Sequence, residues 1–173
     1  MSGKKKHNQI IAESCYGELL IDISTNKYPD TIMLIDTDDW DRLLKMDIGR
    51  ISLNSEGYPR CFYKNRMIKI HRLINLNYSM IDHINHDKTD NRKMNLRTVS
   101  QQQNCMNRIT RSTYKGISFH KRNKKFEARI TINGQIIYIG SYENPIEAAL
   151  AYDKKAIELF GDYACTNKSM GLI

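Results

Sequence analysis

Between Asp82 and Leu96 the chain reads DHINHDKTDNRKMNL, with two histidines, three aspartates and three asparagines in fifteen residues. These side chains are hard oxygen donors and proton acceptors. Phosphodiester cleavage at a metal needs that set: oxygen ligands, open positions for substrate and water, and a base beside them. Asp82 offers a carboxylate, and Asn104, a little further on, offers an amide oxygen. His83 has the side chain whose ordinary pKa, about 6.5, suits taking a proton from water. The same residues would also make a solvated surface loop. Neighbours on a strand point to opposite faces, so Asp82 and His83 share a site only if the strand twists or ends there. His86, Asp87 and Asp90 read as loop formers, since short polar side chains favour turns, and Asn91 and Arg92 as braces of the loop.

The elements around this stretch are legible from pattern. SMIDH precedes it and NLRTVS follows, both β-compatible, and Ser100 then opens SQQQNCMNR as a capped helix start. The local order is strand, loop, strand, helix. Upstream, GELLIDIS (17–24) and TIMLID (31–36) read as strands. Thr37 or Asp38 can cap a helix over DDWDRLLKM, with acidic residues in its first turn. GRISLNSEGYPRCFYKNRMIKI reads as a hairpin turning at NSEGYP, and HRLINLN (71–77) as a short apolar segment, helical or extended. RITRST (108–113) has no periodicity and serves as a linker.

The C-terminal part alternates cleanly. YKGISFHK, KFEARITI and NGQIIYIGSY are three strands, and Asn133-Gly134 is a strong hairpin turn. Asn144 and Pro145 start a helix that aligns Ala149, Tyr152, Ala156, Leu159 and Phe160 on one stripe and stops at Gly161. Ile117, Phe119, Phe126, Ala128, Ile130, Ile132, Ile137 and Ile139 should face that helix. Lys115, Ser118, His120, Glu127, Arg129, Thr131, Ile136 and Tyr138 should face outward. The fold class is α+β.

The 173 residues carry a formal net charge of +8, with 40% hydrophobic and 27% charged residues. The charge is uneven: residues 1–60 have a net of −2, residues 61–111 a net of +7 and residues 112–173 a net of +3. A basic middle beside near-neutral ends points to a polyanionic partner, most simply nucleic acid. No apolar run approaches a membrane span, and MSGKKKH lacks the hydrophobic stretch of a secretory signal, which suggests an intracellular, non-secreted protein. That basic start is a solubilising tail or an arm for a polyanion. Cys15, Cys61, Cys105 and Cys165 are far apart with no C-x-x-C pair, so they are expected as buried free thiols, with no zinc.

HRLI, DHIN, DNRKMNLR and QQQNCMNR, from about Ile70 to Arg108, together resemble the HNH homing endonucleases of intron and phage type. The resemblance implies a ββα-metal unit over about 78–107 within a nuclease domain spanning 1–107. In it Asp82 and Asn104 would bind one divalent cation, Mg²⁺ or Mn²⁺. His83 would activate the attacking water, Asn95 would orient His83 by a hydrogen bond across the hairpin, and the products would be a 5′-phosphate and a 3′-hydroxyl. Arg97, Arg108 and Arg111 are candidates for phosphate contacts, which need only charge and reach.

After a linker at 108–112, the segments YKGI, YIGSY and EAALAYDKKA within Thr113–Asn167 resemble the plant ethylene-response-factor (APETALA-type) DNA-binding domain. This implies a domain at 113–173 whose sheet enters the major groove of double-stranded DNA. Lys115, Ser118, His120, Arg129, Thr131 and Tyr138 would then face the duplex, with Lys121 and Arg122 at the turn on its backbone. Ser118, Thr131 and Ile136 stand where that family usually has arginine, and Tyr138 replaces a tryptophan, so the plant target sequence does not transfer. The combined expectation is a metal-dependent DNA endonuclease. One active site per chain implies a nick from a monomer, and a homodimer or successive events for a double-strand break. A non-catalytic DNA-binding regulator is the alternative, and a structure-directed nuclease acting in repair or on RNA is a third.

Overall fold

The computed structural model describes residues 7–76, 80–110 and 112–173. The basic start, up to Lys6, and the junctions at 77–79 and 111 lie outside the described residues. Packing divides the chain into two units, Met1–Thr98 and Val99–Ile173.

The first unit opens with an antiparallel sheet of β1 (Gln9–Glu13), β2 (Glu18–Asp22) and β3 (Ile32–Asp36). Alternation puts Leu19, Ile21, Ile23, Met33 and Ile35 in the core, each at most 2% exposed. β1 has no such alternation and is exposed throughout, held by its ladder to β2, so the sequence pattern gave no sign of it. α1 (Thr37–Lys45) packs Trp40 and Leu43 into the same core. Its N-cap is Asp36, not Thr37 or Asp38, and the Asp36 side chain caps nothing because it takes the backbone N–H of Lys93.

The segment expected to form one hairpin makes three strands: β4 (Ser52–Leu53), β5 (Pro59–Tyr63) and β6 (Arg66–Lys69). The NSEGYP turn joins the first two. The second turn rests on Lys64 and Asn65, with φ of 46° and 64°. Lysine rarely adopts that conformation, so propensity did not announce the turn. Asn8 is buried and bonds Asp22 and Ile51, joining the start of the chain to both sheets. α2 (Ile70–Ile74) follows β6 directly and buries Ile70, Leu73 and Ile74 in the core. β7 (Ile81–His83) and β8 (Leu96–Thr98) complete the unit as a two-stranded ribbon.

The second unit begins with α3 (Gln101–Met106), whose Ser100 forms a reciprocal capping box with Gln103. The sheet is β9 (Ile117–His120), β10 (Lys125–Ile132) and β11 (Gln135–Tyr142), in the order β11-β10-β9. Asn133 and Gly134 both have positive φ, as the hairpin turn requires. α4 (Pro145–Phe160) lies across the sheet, burying Ala148, Ala149, Tyr152, Ala156 and Phe160, and the side chain of Asn144 caps its start. Ile117, Ile130, Ile132, Ile137 and Ile139 meet it as expected. Phe119 does not: it is 52% exposed at the far end of the hairpin and packs on Phe126 instead. Gly116 has φ of +74°, and a Cβ there would lie 2.2 Å from the Tyr152 ring, so only glycine lets the chain enter β9 against the helix. Asp153 and the fully buried Asn167 close the unit by bonding each other and the backbone of Lys115 and Lys168.

By packing, α3 belongs with the second unit. Met106 joins the apolar cluster around Ile130, Gln102 bonds Asn133, and the ammonium of Lys115 takes the carbonyls of Met106 and Arg108 at 2.9 and 2.8 Å. Packing therefore parts the chain at Thr98, ahead of the 108–112 segment read as a linker. The thiols also differ from expectation: Cys61 and Cys165 are buried, but Cys15 and Cys105 are exposed. Among the described residues no helix is long and apolar enough to cross a membrane.

Candidate active site

β7 ends at His83, and the polar stretch then runs as a loop to Asn95 before returning as β8. In the ribbon Asp82 lies opposite Arg97 and His83 opposite Leu96. Cross-strand partners share a face, so the Asp82 and Arg97 side chains meet, with both guanidinium bonds at 3.1–3.2 Å from Asp82 Oδ2. Arg97, read as a free phosphate contact, is therefore tied to the candidate metal ligand and only 15% exposed in its side chain.

His83 points to the other face and is 5% exposed. Its ring stands perpendicular to that of His71, with centroids 5.1 Å apart, and Tyr58 lies 6.0 Å away. Burial pushes the His83 pKa below its ordinary value, opposed by the nearby Asn91 side chain and by the charges of Asp82, Asp87 and Asp90. The neutral imidazole that results is the form able to accept a proton.

The loop is built from side chains bonding backbone. The Asn95 Oδ1 accepts from Asn85 N at 3.0 Å, and its Nδ2 donates to the Asp90 carbonyl at 2.8 Å. Those bonds hold both polar atoms of the Asn95 side chain within the loop, tying its two ends together. Asn91 is fully buried and donates from Nδ2 to the carbonyls of Lys88 and Thr89. Asn95 sits just beyond the Leu96 position that opposes His83, so its side chain falls over the loop.

Asp90 and Arg92 brace the same loop. Arg92 meets both Asp90 oxygens at 2.7–2.8 Å and reaches Glu18 on β2 at 2.7 Å. Burial would raise the Asp90 pKa, but the hydrogen bonds and charge of Arg92, with a bond from Asn85, hold it below the ordinary carboxylate range. The loop backbone also pairs with β3, through Leu34 N to Thr89 O and Asn91 N to Leu34 O. Lys93 bonds Asp38 and sits 3.5 Å from Asp39. Asp36, Asp38 and Asp39 form a cluster of acidic groups close enough to share a cation, and the Lys93 ammonium already lies beside Asp38 and Asp39. The N-terminal portion thus anchors the site loop. Glu18 and Asp36 carried no mark of this in the sequence, because their partners lie 74 and 57 residues away.

The remaining candidates divide by unit. Asn104 is exposed on α3, in the second unit. Arg108 is exposed, and Arg111 lies outside the described residues. On the sheet, Arg129 opposes Tyr138 and Thr131 opposes Ile136, and all four are exposed on the face away from α4. Ser118 is exposed opposite Glu127, which is nearly buried and ion-paired with Arg129. His120 is half-buried and accepts from Asn123 N, and Lys121 and Arg122 are exposed at the following turn. Lys115 departs from expectation. It precedes β9, so strand alternation does not govern it, and its half-buried ammonium is spent on carbonyls at and just after the end of α3, with burial lowering its pKa.

Residues 79–106, which carry this loop and both ribbon strands, match a family described as HNH endonuclease. The chain is 34% identical over 127 residues to an uncharacterized HNH endonuclease, L560, of Acanthamoeba polyphaga mimivirus, a match covering 67% of this chain and 65% of that protein. It is also 43% identical over 58 residues to the ethylene-responsive transcription factor WRI1 of Arabidopsis thaliana, covering 32% of this chain and 14% of the plant protein. A second Arabidopsis thaliana protein, an AP2-like ethylene-responsive transcription factor, matches at 43% over 58 residues and 17% of its length. The chain thus spans just under two thirds of the viral relative and a small part of the plant ones.

Proposed function

We propose that the chain is a metal-dependent DNA endonuclease of the HNH homing type, working inside the cell that holds its target. The observation that carries this reading is His83 within the HNH match: a buried imidazole kept neutral, at the end of a strand and next in sequence to a carboxylate. HNH endonucleases generally use a divalent metal. The donor set suits a hard cation such as Mg²⁺ or Mn²⁺, since Asp82 and Asn104 offer carboxylate and amide oxygens and no thiolate. Those two residues would hold it, and when bound it supplies charge stabilisation at the phosphate and the leaving oxygen. Arg97 keeps the Asp82 carboxylate in place, and His83 takes the proton of the attacking water. The exposed face of Arg129, Thr131, Ile136 and Tyr138, flanked by Lys121 and Arg122, would hold the duplex.

Supercoiled plasmid libraries carrying random duplex inserts, incubated with Mg²⁺ or Mn²⁺, test this directly. Cleaved inserts should share a site, and His83→Ala should lose at least about a thousandfold in cleavage while retaining duplex binding. Cleavage by His83→Ala at the wild-type rate would remove the mechanism. The similarity to plant transcription factors favours a second reading, a non-catalytic DNA-binding regulator. Sequence-selective binding without nicking under either metal would select it.

A further inference from the structure

His71 is 4% exposed, and its Nδ1 is buried without a hydrogen-bond partner. The other buried members of that helix, Ile70, Leu73 and Ile74, are ordinary core residues. What distinguishes position 71 is its neighbours. Its ring meets His83 edge to face, centroids 5.1 Å apart at 89°, and meets Tyr58 on another side at 5.3 Å and 62°. Tyr58 in turn lies 6.0 Å from His83, so the three rings form one closed cluster. Lys69 and Lys88 place their ammoniums 3.9 and 4.5 Å from the Tyr58 ring centre, both also bonded to Glu56.

We propose that His71 is a positioning residue for His83, its ring fixing the orientation of the His83 imidazole. The inference rests on the reading of His83 as the base. An edge-to-face pair restricts rotation of both rings, because turning either drives it into the other. His71, itself backed by Tyr58, limits that rotation of the His83 ring. Base catalysis is sensitive to such alignment, since small misplacements of a reacting group cost large factors in rate.

The test compares wild type, His71→Ala and His71→Phe on a duplex taken from the cleaved library. His71→Ala should lower kcat by about 10- to 100-fold and leave KM within about threefold, while His71→Phe, which keeps a ring, should recover most of the rate. Ring-nitrogen NMR of His83 should show one sharp set of signals in wild type and His71→Phe, and broadened or shifted signals in His71→Ala. A folded His71→Ala with wild-type kcat and unchanged His83 signals would overturn the proposal. So would a His71→Phe as impaired as His71→Ala, which would assign the effect to a nitrogen and not to the ring. The His83 signals decide the matter even if wild type cleaves nothing, an outcome that would count against the nuclease reading alone.

Discussion

The site loop of the first unit and the sheet of the second hold their shapes by different physics. From Ile84 to Asn95 the chain has little apolar content, and its conformation is set by amides and carboxylates bonding the backbone, tied to β2 and β3 by Arg92 and Asn91. From Ile117 to Phe160 the shape follows from alternation, a hairpin turn and an apolar helix stripe. The first arrangement can present many polar atoms without collapsing, at the expense of needing every one of them satisfied. The second tolerates polar variation on its outer face because its core does not depend on that face.

The contrast can be broken, beginning with the largest effect. Arg92→Ala would leave the Asp90 carboxylate, 2% exposed in its side chain, without its ion pair, at a loss of about 3–5 kcal/mol. Amide exchange should rise across 84–95 and leave the second unit's strands protected. Loss of protection in both units would show that the loop is no separate device. Gly116→Ala should cost the second unit roughly 2–4 kcal/mol, from a positive φ and the clash with Tyr152. Protection in the first unit should not change.

Acid should separate the two next. An unfolded imidazole takes its proton at about 6.5, whereas burial holds His71 down to about 3. Between those values the unfolded chain binds the extra proton, so stability is fully present above about pH 6.5 and falls as the pH drops. The slope from this one group is at most about 1.4 kcal/mol per pH unit. Denaturant titrations of His71→Phe should show a flatter acid limb than wild type, and an identical limb would refute the assignment. Smallest is Ser100→Ala, which removes the capping box of α3 for about 1 kcal/mol, visible as faster exchange at Gln103 and Asn104.

Much of the second unit was legible in advance. The bounds of β10, the Asn133-Gly134 turn and the Asn144-Pro145 helix start match the reading from periodicity, because each depends on residues a few positions apart. Phe119 and Lys115 were misplaced for one reason: alternation says which side a residue takes within a strand, not where the helix above ends or the strand begins. In the first unit several elements were read but not their purpose. β1 went unseen because it is exposed on both faces. Glu18 and Asp36 went unseen as loop anchors because nothing local to them differs from any surface acid.

The sequence by itself determined the α+β order, the candidate base His83 beside Asp82, and the outer face of the C-terminal sheet. All of these follow from residue type and short-range spacing. Only the tertiary structure decided that Asn95 ties the loop, that Arg97 belongs to Asp82, and that His71 and Tyr58 stand against His83. Those contacts join residues from separate elements, and a buried polar or aromatic side chain chooses its partner by which groups the fold brings within reach.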